Sequence, residues 1–269
     1  MSNKTIVITR PSGQARQLSE ALQASLLKSG FTSETSPQII SLPLLTILPK
    51  GEGVLVESII AGLKNADLAI FVSPNAIECT MRLLERSWQE LPDRLLPIGV
   101  MGGSSLASLN NHGIGLESNA TKIILPLSNA QWDSEGLWAE LQKLKWDWST
   151  KRVIIFKGEG GRDWLAETLK QAGAQVEAFS VYARVPLDLN SPAWQDVHEI
   201  DFAKSLWLLT SSEAVRYLGQ AKLPLDRATA ICPHHNIADA AEQIGFGEVF
   251  TCEPGDEALI AASQAWLSI

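Results

Sequence analysis

The chain has 269 residues, 45% of them hydrophobic and 19% charged. That length fits one large α/β domain or two modest ones, and the balance excludes disorder, collagen-like repeats and coiled coil. Acidic residues outnumber basic ones, 30 to 22, for a formal charge of -8, which argues against bulk attraction to nucleic acid or to an anionic membrane.

Thr5–Thr9 reads as a strand, Arg10-Pro11-Ser12-Gly13 as a turn, and Ala15, Leu18, Leu22 and Leu26 as one helix face that stops at Gly30. Gln38–Leu45 reads as extended. Asp67–Val72 is a strand leading through Ser73-Pro74-Asn75 into a helix that runs to Leu84. Pro97–Gly113 gives strand, small-residue turn and helix, followed by a strand at Thr121–Leu125. Arg152–Phe156 leads through Lys157-Gly158-Glu159-Gly160-Gly161 into a helix ending near Gln171, and Ala178–Arg184 is again extended. Ser205–Leu209 leads through Thr210-Ser211-Ser212 into a helix to Leu218. Ala230–Gly245 repeats the pattern and Glu248–Thr251 is a last strand. Ser128–Glu135 and Leu187–Gln195 read as surface loops. Alternation of this kind predicts parallel sheets with helices on both faces.

Val72–Ile77 lines up with Thr210–Val215, and Pro97–Gly113 with Ala230–Gly245, so the chain reads as two similar α/β halves. No single cut separates them. Thr5–Gly30 completes the later half, giving a discontinuous domain one of residues 1–37 and 186–269. Domain two is 46–177, and segments 38–45 and 178–185 join the domains as paired linker strands. The expected class is α/β: two flavodoxin-like parallel-sheet domains joined by a two-stranded linker, with a cleft between them.

No stretch reaches the roughly 18 apolar residues that span a bilayer, and the opening residues do not form a signal peptide. Cys79, Cys232 and Cys252 show neither a disulfide framework nor zinc spacing. The expectation is a cytoplasmic monomer without a membrane or nucleic-acid partner. Turns beyond the carboxyl ends of parallel strands form the ligand crevice of such folds. Ser73, Ser104, Ser105, Thr210, Ser211 and Ser212 stand there, either as helix N-caps or as anion donors. The Lys157–Arg162 turn has three glycines but is neither a P-loop nor a dinucleotide fingerprint. It serves either as a structural turn or as a close backbone approach to a ligand. Residues 1–37 hold four basic and two acidic residues and 151–184 hold six and four, which favours anions at these two turns. No conventional metal or nucleophile motif occurs. Tyr182, one of two tyrosines, lies in an inter-domain segment, where a phenol facing the cleft would donate a proton.

In order along nearly the whole chain, these motifs resemble the uroporphyrinogen-III synthase family. Ile8-Thr9-Arg10-Pro11 resembles its opening motif, and Phe71–Ala76 and Leu209–Ser212 resemble its two serine turns. Gly102-Gly103-Ser104-Ser105 stands at its glycine-threonine turn, with a serine for the threonine. Lys157-Gly158-Glu159-Gly160-Gly161-Arg162 is its most specific stretch, with Lys157 where arginine is usual, and Val181-Tyr182 follows. Gly255 stands where some members carry a threonine, so no role passes to it. The resemblance implies that hydroxymethylbilane is cyclised with loss of water and inversion of ring D, without cofactor or metal. Tyr182 would assist departure of the hydroxyl, directly or through water. Ser73, Ser105, Ser211, Lys157 and Arg162, with the amides of Gly158, Gly160 and Gly161, would hold the substrate's carboxylates. Arg10 would do the same or be structural. Transient contact with the preceding pathway enzyme stays open. Two other classes compete: a non-catalytic two-lobed binder of an anionic small molecule, and a phosphate- or nucleotide-handling enzyme of flavodoxin-like topology.

Overall fold

The computed structural model describes residues 4–32, 35–51, 53–91, 95–116, 121–127 and 132–269. The elements begin with β1 (Thr5–Ile8), α1 (Ser12–Lys28), β2 (Gln38–Ser41) and β3 (Leu45–Pro49). Next come α2 (Gly53–Asn65), β4 (Leu68–Phe71), α3 (Pro74–Leu84), β5 (Ile98–Val100), α4 (Gly103–Asn111), β6 (Ile123–Ile124), α5 (Ser134–Gln142), β7 (Arg152–Gly158), α6 (Trp164–Gln171) and β8 (Gln175–Pro186). The chain ends with α7 (Gln195–His198), β9 (Ser205–Leu208), α8 (Ser212–Leu218), β10 (Thr229–Cys232), α9 (His235–Gln243), β11 (Glu248–Thr251) and α10 (Asp256–Leu267). Among the described residues no helix is long and apolar enough to cross a membrane.

The chain divides into two compact units. Unit one is residues 1–46 with 185–269, and unit two is 47–184. Unit one holds a five-stranded sheet in the order β2-β1-β9-β10-β11, with every pair parallel. Numbered along unit one alone, that order is 2-1-3-4-5, the flavodoxin-like arrangement. Its central strands β1, β9 and β10 are buried on both faces, so they read as largely apolar runs. Ile6, Ile8, Leu206 and Leu208 pack against Leu18, Leu22 and Leu26 of α1 and Leu259 of α10. Val7, Trp207 and Ala230 pack against α8 and α9 through Val215, Leu218, Ile237 and Ala241. Each fully buried Leu or Ile contributes about 1.5–3 kcal/mol of transfer free energy. Helix α1 ends as its sequence predicts: Gly30 adopts φ +87°, and the Phe31 N–H reaches back to the Leu26 carbonyl at 3.1 Å, a glycine-terminated helix end.

Unit two has a six-stranded sheet in the order β3-β8-β7-β4-β5-β6. Setting β3 aside, β8-β7-β4-β5-β6 is the same 2-1-3-4-5 order, but its first strand-helix-strand (β7, α6, β8) comes last in sequence. The two units are thus circular permutations of one topology. The Thr5–Gly30 segment completes unit one. The glycine-turn segment completes unit two in the same way, a relation that the sequence pattern alone does not reveal. Alternate β-residues again face opposite helix layers. Ala69, Phe71, Ile154 and Phe156 face α2, α3 and α4, while Leu68, Ile70, Val153 and Ile155 face α5 and α6.

The segments expected as linker strands lie partly inside the sheets. Gln38–Ser41 pairs in parallel with β1, and Gln175–Ser180 pairs with β7. The chain passes between units along β3 and the end of β8. Antiparallel pairing there is marked by Lys50 N–H to the Val181 carbonyl and Leu187 N–H to the Leu44 carbonyl, each 2.9 Å. Helices α2, α5, α7 and α10 form at expected loops or unassigned stretches. The Asp133 carboxylate caps α5 by accepting from the Gly136 N–H at 2.7 Å. The first part of the predicted 128–135 loop lies outside the described residues.

Candidate active site

In a 2-1-3-4-5 sheet the helices that follow strands one and three leave on opposite faces, and a crevice opens between those strands at their carboxyl ends. In unit two that point lies between β7 and β4. Ser73 follows β4 in an extended conformation (φ -165°, ψ 162°) and caps α3, its hydroxyl accepting the Ala76 N–H at 3.1 Å. Pro74 at the first helical position suits the cap, since it has no N–H to satisfy. The Tyr182 hydroxyl lies 3.1 Å from Ser73 Oγ. Its ring is 3% exposed and belongs to the α2–α4 layer with Phe156.

The ring lies directly on the glycine turn. Gly158 pairs with Tyr182 across a register shift, and the Glu159 N–H donates to the Tyr182 carbonyl at 2.8 Å. A Cβ on Gly158 would stand 2.7 Å from Tyr182 Cε2 and Cζ, so only glycine seats the ring there. Gly160 and Gly161 have φ +66° and +84°, a left-handed pair that side-chain-bearing residues adopt at a cost. Arg184 closes this corner. Its guanidinium carbon lies 5.9 Å from the Tyr182 ring centroid, and Nη2 donates to the Glu159 carbonyl at 3.3 Å. No sequence motif singles out Arg184; the signal is its place two residues beyond Tyr182, which on a strand puts both on one face.

The other expected residues fall elsewhere. Lys157 pairs with Asp163, and Arg162 pairs with Glu135 of α5. Lys157 holds the Asp163 carboxyl below the usual carboxylate range, first by hydrogen bonding and then by its charge. Ser105 is 2% exposed, in the first turn of α4, where its N–H donates to the Gly102 carbonyl at 3.1 Å. The Trp132 indole lies over this turn: a Cβ on Gly102 or Gly103 would come within 2.7 or 2.6 Å of its ring.

Unit one has its own switch point, between β1 and β9. Arg10 lies two residues beyond β1, and its Nη1 donates to Asp256 Oδ1 at 2.6 Å, at the start of α10. Ser211 caps α8 by accepting the Ala214 N–H at 3.3 Å, the counterpart of Ser73. Burial pushes the Cys232 thiol up to about 12, with Cys252 and Glu242 adding to the shift, so it is not a thiolate near neutral pH.

Two surface hollows among the described residues lie away from these corners. One of about 610 Å³ is lined by Glu78, Arg82, Arg86, Trp88 and His112. Another of about 480 Å³ is lined by Ser58, Gly62, Arg152 and Gln175 at the opposite strand ends of unit two. Neither contains Ser73 or Tyr182. Both hollows are open surface concavities away from the carboxyl ends of the parallel strands, where ligands of such sheets bind.

Comparison with known proteins places the chain in a family. The family model described as HEM4, uroporphyrinogen-III synthase HemD, matches residues 14–261. The chain belongs to this family. A uroporphyrinogen-III synthase of Proteus mirabilis is 28% identical over 190 residues, covering 68% of this chain and 82% of that protein. The Escherichia coli K12 uroporphyrinogen-III synthase is 23% identical over 278 residues, covering 97% and 100%. A solved uroporphyrinogen-III synthetase from Helicobacter pylori 26695 superposes with a TM-score of 0.61 over 97% of this chain and 99% of that one, at 14% identity. The family resemblance read from the motifs is borne out, as is the two-domain α/β class.

Proposed function

We propose that this chain is a uroporphyrinogen-III synthase, cyclising hydroxymethylbilane with loss of water and inversion of ring D, in the cytoplasm and as a monomer. Family membership supports the reaction, and three free thiols suit a reducing compartment. The observation that carries the chemical role is the Tyr182–Ser73 hydroxyl pair at the switch point of unit two. The substrate's leaving hydroxyl sits on a carbon attached to an electron-rich pyrrole. Electrons from the pyrrole nitrogen expel it, so the protein need only supply a proton and a shape. Ser73 is partly exposed and Tyr182 buried. Ser73 therefore hands its proton to the departing hydroxyl, which leaves as water, and Tyr182 restores the serine proton. The azafulvene is attacked by the substituted carbon of ring D, giving a spiro intermediate that rearranges to the closed macrocycle. The proton lost from ring D at the end returns the phenol to its starting state.

Attack at the substituted carbon is the harder closure, so the folded geometry of the bound chain carries most of the rate. Positioning of this kind is worth on the order of 7 kcal/mol or more. Backbone amides at the glycine turn and at the starts of α3 and α4 hold carboxylates without a net positive protein. Arg10 and Ser211 offer a cation and a helix start of the same kind in unit one. The test is incubation with freshly generated hydroxymethylbilane and separation of isomers I and III. Isomer III in excess of the protein-free reaction is expected. A product mixture identical to that control sinks the proposal, and leaves a binder of anionic small molecules as the reading.

A further inference from the structure

The two cations nominated by the glycine-turn motif lie on the wrong side of the sheet for the phenol. In β7, Phe156 faces the layer that contains Tyr182, and Ile155 faces α5 and α6. Lys157, two residues beyond Ile155, shares that second face and meets Asp163 there. Arg162 meets Glu135 and lies 5.6 Å over the Trp164 ring, in the same α5–α6 layer. Arg184, by contrast, packs over the Tyr182 ring itself.

We infer that Arg184 receives a substrate acetate beside the Tyr182–Ser73 hydroxyl pair; this deepens, and rests on, the reading that the chain binds a tetrapyrrole. Its guanidinium lies along the glycine turn: a Cβ on Gly158 would come within 2.9 Å of Nη1, and one on Gly161 within 3.6 Å of Nη2. The missing side chains let the planar group settle against main chain, with Tyr182 below it. A guanidinium offers a fork of N–H donors that matches a carboxylate, which an ammonium does not. The substrate's chemistry selects which carboxylate. In hydroxymethylbilane the ring carbon next to the one bearing the hydroxymethyl group carries an acetate, so a cation beside the proton donor meets that acetate and fixes the hydroxyl against Ser73.

Binding of uroporphyrin III and coproporphyrin III, followed by porphyrin fluorescence, tests this without turnover, because coproporphyrin keeps the propionates but has methyls in place of the acetates. Arg184→Gln is expected to weaken uroporphyrin binding about tenfold, the scale of one charge-assisted contact, and to leave coproporphyrin binding unchanged. In turnover it should raise KM for hydroxymethylbilane about tenfold, with a smaller change in kcat. Arg184→Lys should recover part of the preference, and Lys157→Gln should leave it intact. If Arg184→Gln binds both porphyrins as the wild type does, or loses both equally, the inference is overturned, the second result marking a residue that only holds the corner together. Should the Gln variant not fold, Arg184→Lys decides: an unchanged uroporphyrin preference in a folded Lys variant refutes the fork. Wild-type failure to enrich isomer III refutes the proposed function instead, and the porphyrin comparison is read separately from it.

Discussion

The two switch points share a topology and differ in what fills them. In unit one the corner is sealed by charge: Arg10 is held by Asp256 at 2.6 Å, and Ser211 does little beyond capping its helix. In unit two the corner is sealed by a ring: Tyr182 rests on a bare glycine and touches the capping serine. Both corners present helix-start amides, the donors that any anion uses. The second also brings a serine hydroxyl within 3.1 Å of a phenol. The topology thus supplies the same helix-start amides twice, and in the proposed reading one side chain over one glycine makes a chemical site of the second.

The comparison breaks most easily at Gly158. Gly158→Ala forces its Cβ into the Tyr182 ring, and such overpacking costs about 1–3 kcal/mol. A fall of several degrees in the thermal midpoint is expected, with the isomer III fraction dropping toward that of the spontaneous reaction. A variant that kept both would show that the seat is dispensable. Tyr182→Phe leaves the seat and removes the proton. A rate loss of about tenfold, at the low end for a general acid because the substrate ionises readily, is expected. Single-turnover measurements of isomer III read it, and an unchanged rate in a stable protein removes Tyr182 from the chemistry.

The serine pair sharpens the contrast. Ser73→Ala and Ser211→Ala each lose a cap worth about 1 kcal/mol, so denaturant midpoints should shift alike. Isomer III formation should fall further in the first, because only Ser73 meets a phenol; equal losses of activity would erase the distinction between the corners. The smallest effect concerns Asp163. Lys157 depresses its carboxyl in the folded state. The stability this gives is present above the carboxyl's ordinary range and is lost as pH falls through the depressed value. Asp163 is exposed, so the contribution is small. Acid unfolding curves of the wild type and Asp163→Asn should differ slightly at neutral pH and converge at low pH. Curves that diverge as pH falls would contradict the pairing.

Much of this was legible in the residues. Apolar runs of Val, Ile and Leu between turn residues marked β1, β4, β7, β9 and β10, because strands buried on both faces have no polar positions to blur them. Ala15, Leu18, Leu22 and Leu26 marked α1 by spacing, and all four are buried. Helix α10 was less legible: its run of Ala and Ser has a weakly patterned face. Short β6 and the linker strands were read as extended, but with blurred bounds, since edge strands carry mixed polarity. At the site, the motif order identified the turns, but not the side of the sheet on which each side chain lands. Ser105 looked like a turn hydroxyl and is buried, because the helix begins at Gly103. Lys157 and Arg162 looked like ligand cations, yet each meets an acid from its own layer. Arg184 carried no motif and emerged only from the packing around Gly158.

The interrupted layout of unit one has a consequence for how the molecule is made. Thr9 of the first strand segment donates to the carbonyl of Leu208, 199 residues later, so the centre of that sheet must wait for most of the polypeptide to leave the ribosome. Residues 47–184 are contiguous, and their two ends are held side by side by the Lys50–Val181 bond. That segment can fold first, as domains do during synthesis, and in doing so it delivers the opening forty-odd residues back to the partner strands still to come.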